Sequence, residues 1–138
     1  MSINSQKAPE PVGAYPHAKR VGDLLFLSGV GPRQKNSKTI PGVELSENGE
    51  ILSYDIEVQT RAVIKNVELV LQSAGLELSD LVDCQCFLTN MKRDFKAFNK
   101  VYAEYFSVES GPCRTTVEIG ALPTPIAVEF KAVAAFTK

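Results

Sequence analysis

Apolar residues recur along the chain with two different periods, and these periods predict its secondary structure. Residues 24–27 form a short apolar run after a turn signal, so residues 14–29 are predicted to form a β-hairpin. Residues 54–74 repeat valine, leucine and alanine at three- and four-residue steps, the period of an amphipathic helix. Asp55 is placed to cap that helix, and Gly75 to end it.

The second half of the chain continues the alternation of strands and helices. Residues 81–89 are predicted to form a strand, after which Asp94 is predicted to cap a helix over residues 95–106. Residues 113–119 and 126–136 are predicted to form two final strands, joined by a turn that contains prolines. The predicted order of the elements is therefore β-β-α-β-α-β-β.

Two segments of the chain lack a clear period. Residues 31–53 are rich in glycine, proline and asparagine, and are predicted to be a long loop with a minor strand near residues 50–52. Loops of this length in compact domains are often functional. Residues 1–13 are predicted to be an extended, partly mobile arm.

The two faces of the last predicted strand differ, and that difference predicts the fold class. Two helices cannot cover both faces of a sheet of five or six strands, so we expect an α+β fold with a mixed sheet and both helices on one face. The other face of residues 126–136 mixes small and apolar residues with charges: Ala127, Glu129, Lys131, Val133 and Ala135. This composition predicts burial against another subunit, and hence a homo-oligomer with pockets where sheets of different subunits meet.

Composition narrows the class of protein further. The chain has 138 residues, which indicates a single domain over residues 1–138. A formal net charge of -1 offers no electrostatic footprint for nucleic acid or an anionic membrane. No apolar run approaches the ~20 residues of a transmembrane helix, and the N-terminal residues lack the apolar core of a signal peptide. We therefore expect a cytoplasmic protein.

Residues that commonly bind metals are few in this sequence. His17 is the only histidine, and the three cysteines are Cys84, Cys86 and Cys113, an odd number that favours reduced thiols. Cys84 and Cys86 would share one face of a strand, but one such pair does not make a zinc site. We therefore expect no metal ion.

One cation and one carboxylate lie within the largely apolar final strands. Arg114 is able to hold a carboxylate ligand by two parallel hydrogen bonds, and Glu129 is able to carry a proton or orient a water molecule. The ordinary structural alternative is an ion pair of Arg114 with Glu118 or Glu129, and residue type alone favours it for Arg114. The functional alternative predicts a pocket for a small organic acid.

Several other polar residues have both a structural and a functional interpretation. Tyr15 is either a core aromatic residue or a pocket wall whose hydroxyl group binds a ligand. Ser28 and Gly29 either end a strand or expose backbone N–H groups to a carboxylate. Asn90 is either a turn residue at a strand end or part of a pocket lining.

His17 and Cys113 carry the same ambiguity. His17 is either a solvent-facing strand residue or a contact for a second anionic group of a substrate. Cys113 is either a small buried hydrophobic residue, which is favoured, or a thiol activated by Arg114.

Four motifs together give the chain a family resemblance: residues 25–29 (Leu-Phe-Leu-Ser-Gly), 87–91 (Phe-Leu-Thr-Asn-Met), 102–106 (Tyr-Ala-Glu-Tyr-Phe) and 112–117 (Pro-x-Arg-x-x-Val). With them the chain resembles the RidA superfamily of reactive enamine/imine deaminases, over nearly its whole length. The resemblance implies a chorismate-mutase-like α+β subunit. It also implies a homotrimer with its sites in the clefts between subunits.

The same resemblance implies roles for individual residues. Arg114 would bind the substrate carboxylate, assisted by the backbone of Gly29, and Glu129 would hold the hydrolytic water. The pocket would be lined by Tyr15, Ser28 and Asn90. Family members often carry a thiol two residues after the arginine, where this chain has Thr116, and this departure puts a role for cysteine at that position in doubt.

A finer resemblance involves residues 14–18, 27–33, 112–118 and 122–126 together with the long loop. In these segments the chain resembles the members of the family that deaminate 2-aminomuconate in bacterial aromatic degradation. That substrate is a dicarboxylate enamine, so its second carboxylate would contact Arg33, Lys35 or His17.

The function predicted from this resemblance is the hydrolysis of 2-aminomuconate to 4-oxalocrotonate (2-oxohex-3-enedioate) and ammonia. One alternative is a broad deaminase of the 2-iminobutanoate/2-iminopropanoate type. The other is a non-enzymatic trimer that binds a small acid for regulation.

Overall fold

The computed structural model describes residues 1–136, and its main feature is a six-stranded mixed sheet with two helices on one face. The elements in chain order are β1 (Ser2–Ile3), β2 (Ala18–Val21), β3 (Leu24–Leu27), β4 (Val43–Leu45), β5 (Ile51–Tyr54), α1 (Ile56–Gln72), β6 (Leu81–Leu88), α2 (Met91–Tyr105), β7 (Cys113–Glu118) and β8 (Val128–Ala135). The order across the sheet is β1-β2-β3-β8-β6-β7, in which only β6 and β7 are parallel.

The predicted α+β class and the placement of both helices on one face are confirmed. On β8, the side chains of Val128, Phe130 and Ala132 are buried in the core together with residues of both helices. Glu129 and Lys131 alternate with them on the other face and are only half-buried. The sheet of a single chain therefore has one covered face and one open face.

The first helix forms where its sequence predicts it. The Asp55 carboxylate accepts hydrogen bonds from the backbone N–H groups of Glu57 and Val58, at 2.9 and 3.2 Å. Gly75 follows the end of the helix with a φ of +77°, a left-handed conformation that glycine adopts without strain. Gln59 is buried in this helix, and its Oε1 accepts a hydrogen bond from the Ala127 N–H at 2.9 Å, which attaches the helix to the segment before β8.

The second helix begins one turn earlier than predicted, and the prediction that Asp94 caps it is wrong. The cap is Asn90, whose Oδ1 accepts a hydrogen bond from the Arg93 N–H at 3.0 Å. Asp94 lies inside the helix and is buried, and it accepts a hydrogen bond from the Tyr54 hydroxyl group at 2.5 Å. The chain offers two good capping residues four positions apart, and tertiary contacts distinguish them: Tyr54 binds Asp94, and the Glu118 carboxylate accepts a hydrogen bond from the Met91 N–H at the start of the helix.

The segment predicted as a long loop contains more structure than expected. Strands β4 and β5 form a separate two-stranded sheet, connected through Asn48 and Gly49. Gly49 adopts a φ of +81° in that connection. The Tyr54–Asp94 hydrogen bond ties this small hairpin to α2.

The N-terminal arm is packed against the body of the protein. Strand β1 pairs with β2, and Ser5 and Ala8 are buried. The Ser5 N–H donates to His17 Nδ1 at 2.9 Å, and His17 Nε2 contacts the Pro9 carbonyl oxygen at 2.7 Å. The arm therefore forms one wall of the region around β2 and β3.

Within residues 1–136, no helix combines the length and the apolar character needed to cross a membrane.

Candidate active site

A carboxylate without a partner lies on the open face of the sheet, beside the segment that follows β3. Glu129 makes no hydrogen bond or ion pair with any other residue in the range 1–136. Its carboxylate packs directly on Gly29: a Cβ atom at position 29 would lie 2.8 Å from Glu129 Oε2. Glycine is therefore required here because a side chain would displace the carboxylate.

Burial changes the proton affinity of this carboxylate. Loss of solvent around Glu129 raises the pKa of its carboxyl group, and the positive charge of Arg33 partly opposes the rise. A carboxyl group with a raised pKa accepts and keeps a proton more readily than an exposed glutamate, which suits it to acid–base chemistry.

Glu129 lines a cavity of about 150 Å³. The cavity is bounded by the turn before β2, the segment after β3 and the segment before β8, through Val12, Tyr15, Gly29, Gly31, Arg33, Pro123, Thr124, Ile126 and Glu129. Of the residues predicted to bind substrate, Tyr15, Gly29 and Arg33 are brought together here. Ser28 lies next to Gly29, and its hydroxyl group donates to the Pro16 carbonyl oxygen at 2.7 Å.

Sequence reasoning missed Asn66, which holds the backbone of two residues that line this cavity. Its buried side-chain amide donates to the carbonyl oxygens of Gly31 and Arg33, at 2.8 and 2.6 Å. Asn66 thereby fixes the backbone that presents Arg33. An asparagine within the apolar stripe of α1 is the signal that would have revealed it, since a buried amide requires partners.

The residues predicted to meet a second carboxylate differ in availability. Both ring nitrogens of His17 are occupied by the N-terminal arm, and the residue is buried, so the expectation of a solvent-facing His17 is wrong. Lys35 donates to the Gln6 carbonyl oxygen and lies 3.7 Å from a Glu10 carboxylate oxygen. Arg33 donates to the Glu10 carbonyl oxygen at 2.8 Å through one nitrogen, which leaves most of its N–H groups for a ligand.

A cation without a counter-ion lies on the opposite, helix-covered face. Arg114 has no ion pair and no hydrogen bond with any residue that the structure describes. Its Cζ atom lies 4.6 Å from the centroid of the Tyr102 ring on α2. Glu118, one of the ion-pair partners considered, instead accepts a hydrogen bond from the Met91 N–H at 2.8 Å. The ion-pair alternative for Arg114 is therefore wrong for the single chain.

Arg114 and Glu129 do not meet in one chain. Glu129 pairs with Phe87 across β6, whereas Arg114 pairs with Cys84, whose thiol is buried on the helix side. Along the strands their backbones are three residues apart, which is about 10 Å. Across the sheet they are two strand spacings apart, which is also about 10 Å. The two side chains also point to opposite faces of the sheet. A single chain therefore carries two separate candidate half-sites.

The cysteines and Asn90 complete the set of predicted residues. Cys113 is exposed on the face opposite to Arg114, so the favoured prediction of a buried Cys113 is wrong, and the thiol does not lie against the guanidinium. Cys84 and Cys86 share one face as predicted, with their sulfur atoms 3.7 Å apart. Asn90 is exposed, with its Oδ1 occupied by the helix cap. Among residues 1–136, no three His, Cys, Asp or Glu side chains cluster closely enough to hold a metal ion.

The protein is therefore a small α+β protein in which Arg114 has no counter-ion and Glu129 has no hydrogen-bond partner among residues 1–136. A family model described as Endoribonuclease L-PSP matches residues 5–136. A RutC family protein from Pyrococcus abyssi is 38% identical over 132 residues, which cover 96% of this chain and 94% of that protein. The chain belongs to this family of RutC and RidA proteins, as its sequence motifs predicted.

Further relatives include a named deaminase and solved structures. Reactive Intermediate Deaminase A of Arabidopsis thaliana is 34% identical over 132 residues, covering 96% of this chain and 64% of that protein. The crystal structure of E. coli TdcF with bound serine matches with a TM-score of 0.81 and 28% identity, over 98% of both chains. The Rid family protein YyfA from Yersinia pestis matches with a TM-score of 0.80 and 32% identity, also over 98% of both chains.

The buried carboxylate of Glu129 predicts a specific dependence of stability on pH. Since the folded protein binds this proton more tightly than the unfolded chain, its stability falls as the pH rises from the usual glutamate pKa through the raised one. Glu129→Gln should therefore raise the melting temperature near neutral pH and leave it unchanged at about pH 4. Calorimetry across this pH range measures the difference. Glu109→Gln, at an exposed carboxylate, is the control, and an equal response of both variants would contradict the account.

Proposed function

We propose that the protein is a hydrolytic deaminase of enamine and imine acids, and that its active site combines Arg114 of one copy with Glu129 of another. The observation that carries this proposal is that both charged groups lack partners within residues 1–136. Partly buried charges without partners reduce stability, and proteins commonly retain such groups where a ligand uses them. Because the two side chains lie on opposite faces of the sheet, a second copy of the chain has to supply the complementary half of the site.

The relatives support this choice of reaction. One is named a reactive intermediate deaminase, and the structure of another, TdcF, contains serine, which carries both a carboxylate and an amino group. We propose a cytoplasmic homotrimer for this chain. RNA cleavage, which the description of the family model suggests, has less support because the net charge of -1 supplies no overall electrostatic attraction to nucleic acid.

The proposed reaction uses positioning and charge rather than a cofactor. Arg114 binds the substrate carboxylate with two parallel hydrogen bonds, and the free N–H of Gly29 assists. Protonation of the enamine on carbon gives an iminium ion, and water held by Glu129 adds to its C2 atom. The resulting carbinolamine collapses after a proton moves to nitrogen. One water is consumed, ammonia leaves, and a 2-oxo acid remains.

The finer proposal is that 2-aminomuconate is the substrate and that Arg33 binds its second carboxylate. Arg33 lines the same cavity as Glu129 and has N–H groups to spare, whereas His17 and Lys35 are already engaged. The product would be 4-oxalocrotonate.

A second candidate is a broad deaminase of smaller acids such as 2-iminobutanoate. The name of a relative, Reactive Intermediate Deaminase A, favours it, because that name specifies no dicarboxylate substrate. A purely regulatory acid-binding trimer has less support, since a carboxylate binder does not need the raised pKa of Glu129.

The role of Arg114 is tested by ammonia release from enzymatically generated 2-aminomuconate, beside monocarboxylate imines made by an amino acid oxidase. Arg114→Ala should lower kcat/KM by about 30- to 3,000-fold, as expected for the loss of a charge-assisted pair worth about 2–5 kcal/mol. Lys92→Ala removes an exposed charge from α2 and should have no effect. Equal activity of Arg114→Ala and the wild type would refute the proposed role.

The role of Arg33 is tested by comparing the two substrate classes. Arg33→Met should raise the KM for 2-aminomuconate by about tenfold, the effect of about 1.4 kcal/mol, because only the dicarboxylate uses this contact. The KM for a monocarboxylate imine should change little. Lys38→Met removes an exposed charge from the same loop and is the control. A rise of equal size for both substrates would argue against a second carboxylate site.

A further inference from the structure

Three aromatic rings on one face of α2 surround the guanidinium group of Arg114. Its Cζ atom lies 4.6 Å from the centroid of the Tyr102 ring, 5.4 Å from that of Phe98 and 5.9 Å from that of Phe95. All three distances are within the range of cation–π attraction. Spacings of three and four residues place these rings on one face of the helix, and we name Phe95, Phe98 and Tyr102 the aromatic cradle.

The aromatic cradle orients the cation without neutralising it. A carboxylate partner would also fix the Arg114 side chain, but it would occupy the N–H groups that bind a ligand. The ring faces attract the positive charge and leave the edge of the planar group free for two parallel hydrogen bonds. The absence of any ion pair of Arg114 within residues 1–136 agrees with this arrangement.

The aromatic cradle packs against the core. The rings contact the cation, whereas the Tyr102 hydroxyl group does not take part. The Phe98 ring packs edge-on against Phe130 of β8, with centroids 6.0 Å apart. The Tyr102 ring lies 4.7 Å from that of Phe106. The Tyr102 hydroxyl group is buried and has no hydrogen-bond partner within the described chain, and burial raises its pKa, so it stays neutral.

We propose that the aromatic cradle positions Arg114 for carboxylate binding, which makes Phe95 and Tyr102 positioning residues of the site. This inference rests on the proposed role of Arg114 as the residue that binds the substrate carboxylate. Loss of a ring leaves the charge in place but frees the long side chain, so binding weakens more than the chemical step.

The test is equilibrium binding of 2-oxobutanoate, measured by calorimetry on the full chain. Tyr102→Phe keeps the ring and should bind like the wild type, whereas Tyr102→Leu and Phe95→Leu should bind about five- to twentyfold more weakly. Phe106→Leu is the matched control, because it removes a ring that stacks on Tyr102 but does not face Arg114. In turnover, loss of a cradle ring should raise KM more than it lowers kcat. Mere destabilisation would instead lower kcat at unchanged KM, by reducing the fraction of folded protein.

The outcomes separate this inference from the proposed function. Unchanged binding by Phe95→Leu and Tyr102→Leu, with loss of binding in Arg114→Ala, would overturn the cradle and leave the carboxylate site intact. Full binding by Arg114→Ala, or none by the wild type, would overturn the carboxylate site and the cradle with it. Phe95 is 37% exposed, so Phe95→Leu carries the test if Tyr102→Leu does not fold.

Discussion

The alternation of side chains along β-strands decides which charged groups a single chain can bring together. In the pairing of β6 with β7 and β8, Arg114 lies on the face that the helices cover, and Glu129 lies on the open face. No rotation of either side chain brings the two together through the sheet. A reaction that needs both groups therefore requires two copies of the chain, and assembly becomes part of the catalytic proposal.

The two half-sites avoid neutralisation in different ways. Glu129 packs on Gly29, where only a glycine leaves room for its carboxylate, and its burial favours the protonated form. Arg114 lies over aromatic rings, which attract its charge without consuming its N–H donors. Both arrangements leave a group without an ion-pair partner in the single chain: Arg114 is available to a carboxylate, and Glu129 to water or a proton.

The fold was predictable from the sequence because its hydrophobic periods are strong and its first cap and turn residues are unambiguous. The start of α2 was not predictable, since Asn90 and Asp94 are both good capping residues. The contacts that select between them come from Tyr54 and Glu118, which are distant in sequence. Of the site, motifs pointed to the individual residues, but their grouping depends on strand register, which no local pattern encodes. His17 was misjudged for a related reason, because its partners belong to an arm without periodicity.

Mixing two inactive variants tests the shared site most directly. Arg114→Ala retains Glu129, and Glu129→Gln retains Arg114, so unfolding and refolding them together creates interfaces in which both intact groups meet. A 1:1 mixture should recover about a quarter of the wild-type ammonia release, the share of such interfaces in randomly assembled closed rings. Each variant refolded alone should remain inactive. A mixture that stays as inactive as its components, although the copies associate, would contradict a site built from two chains.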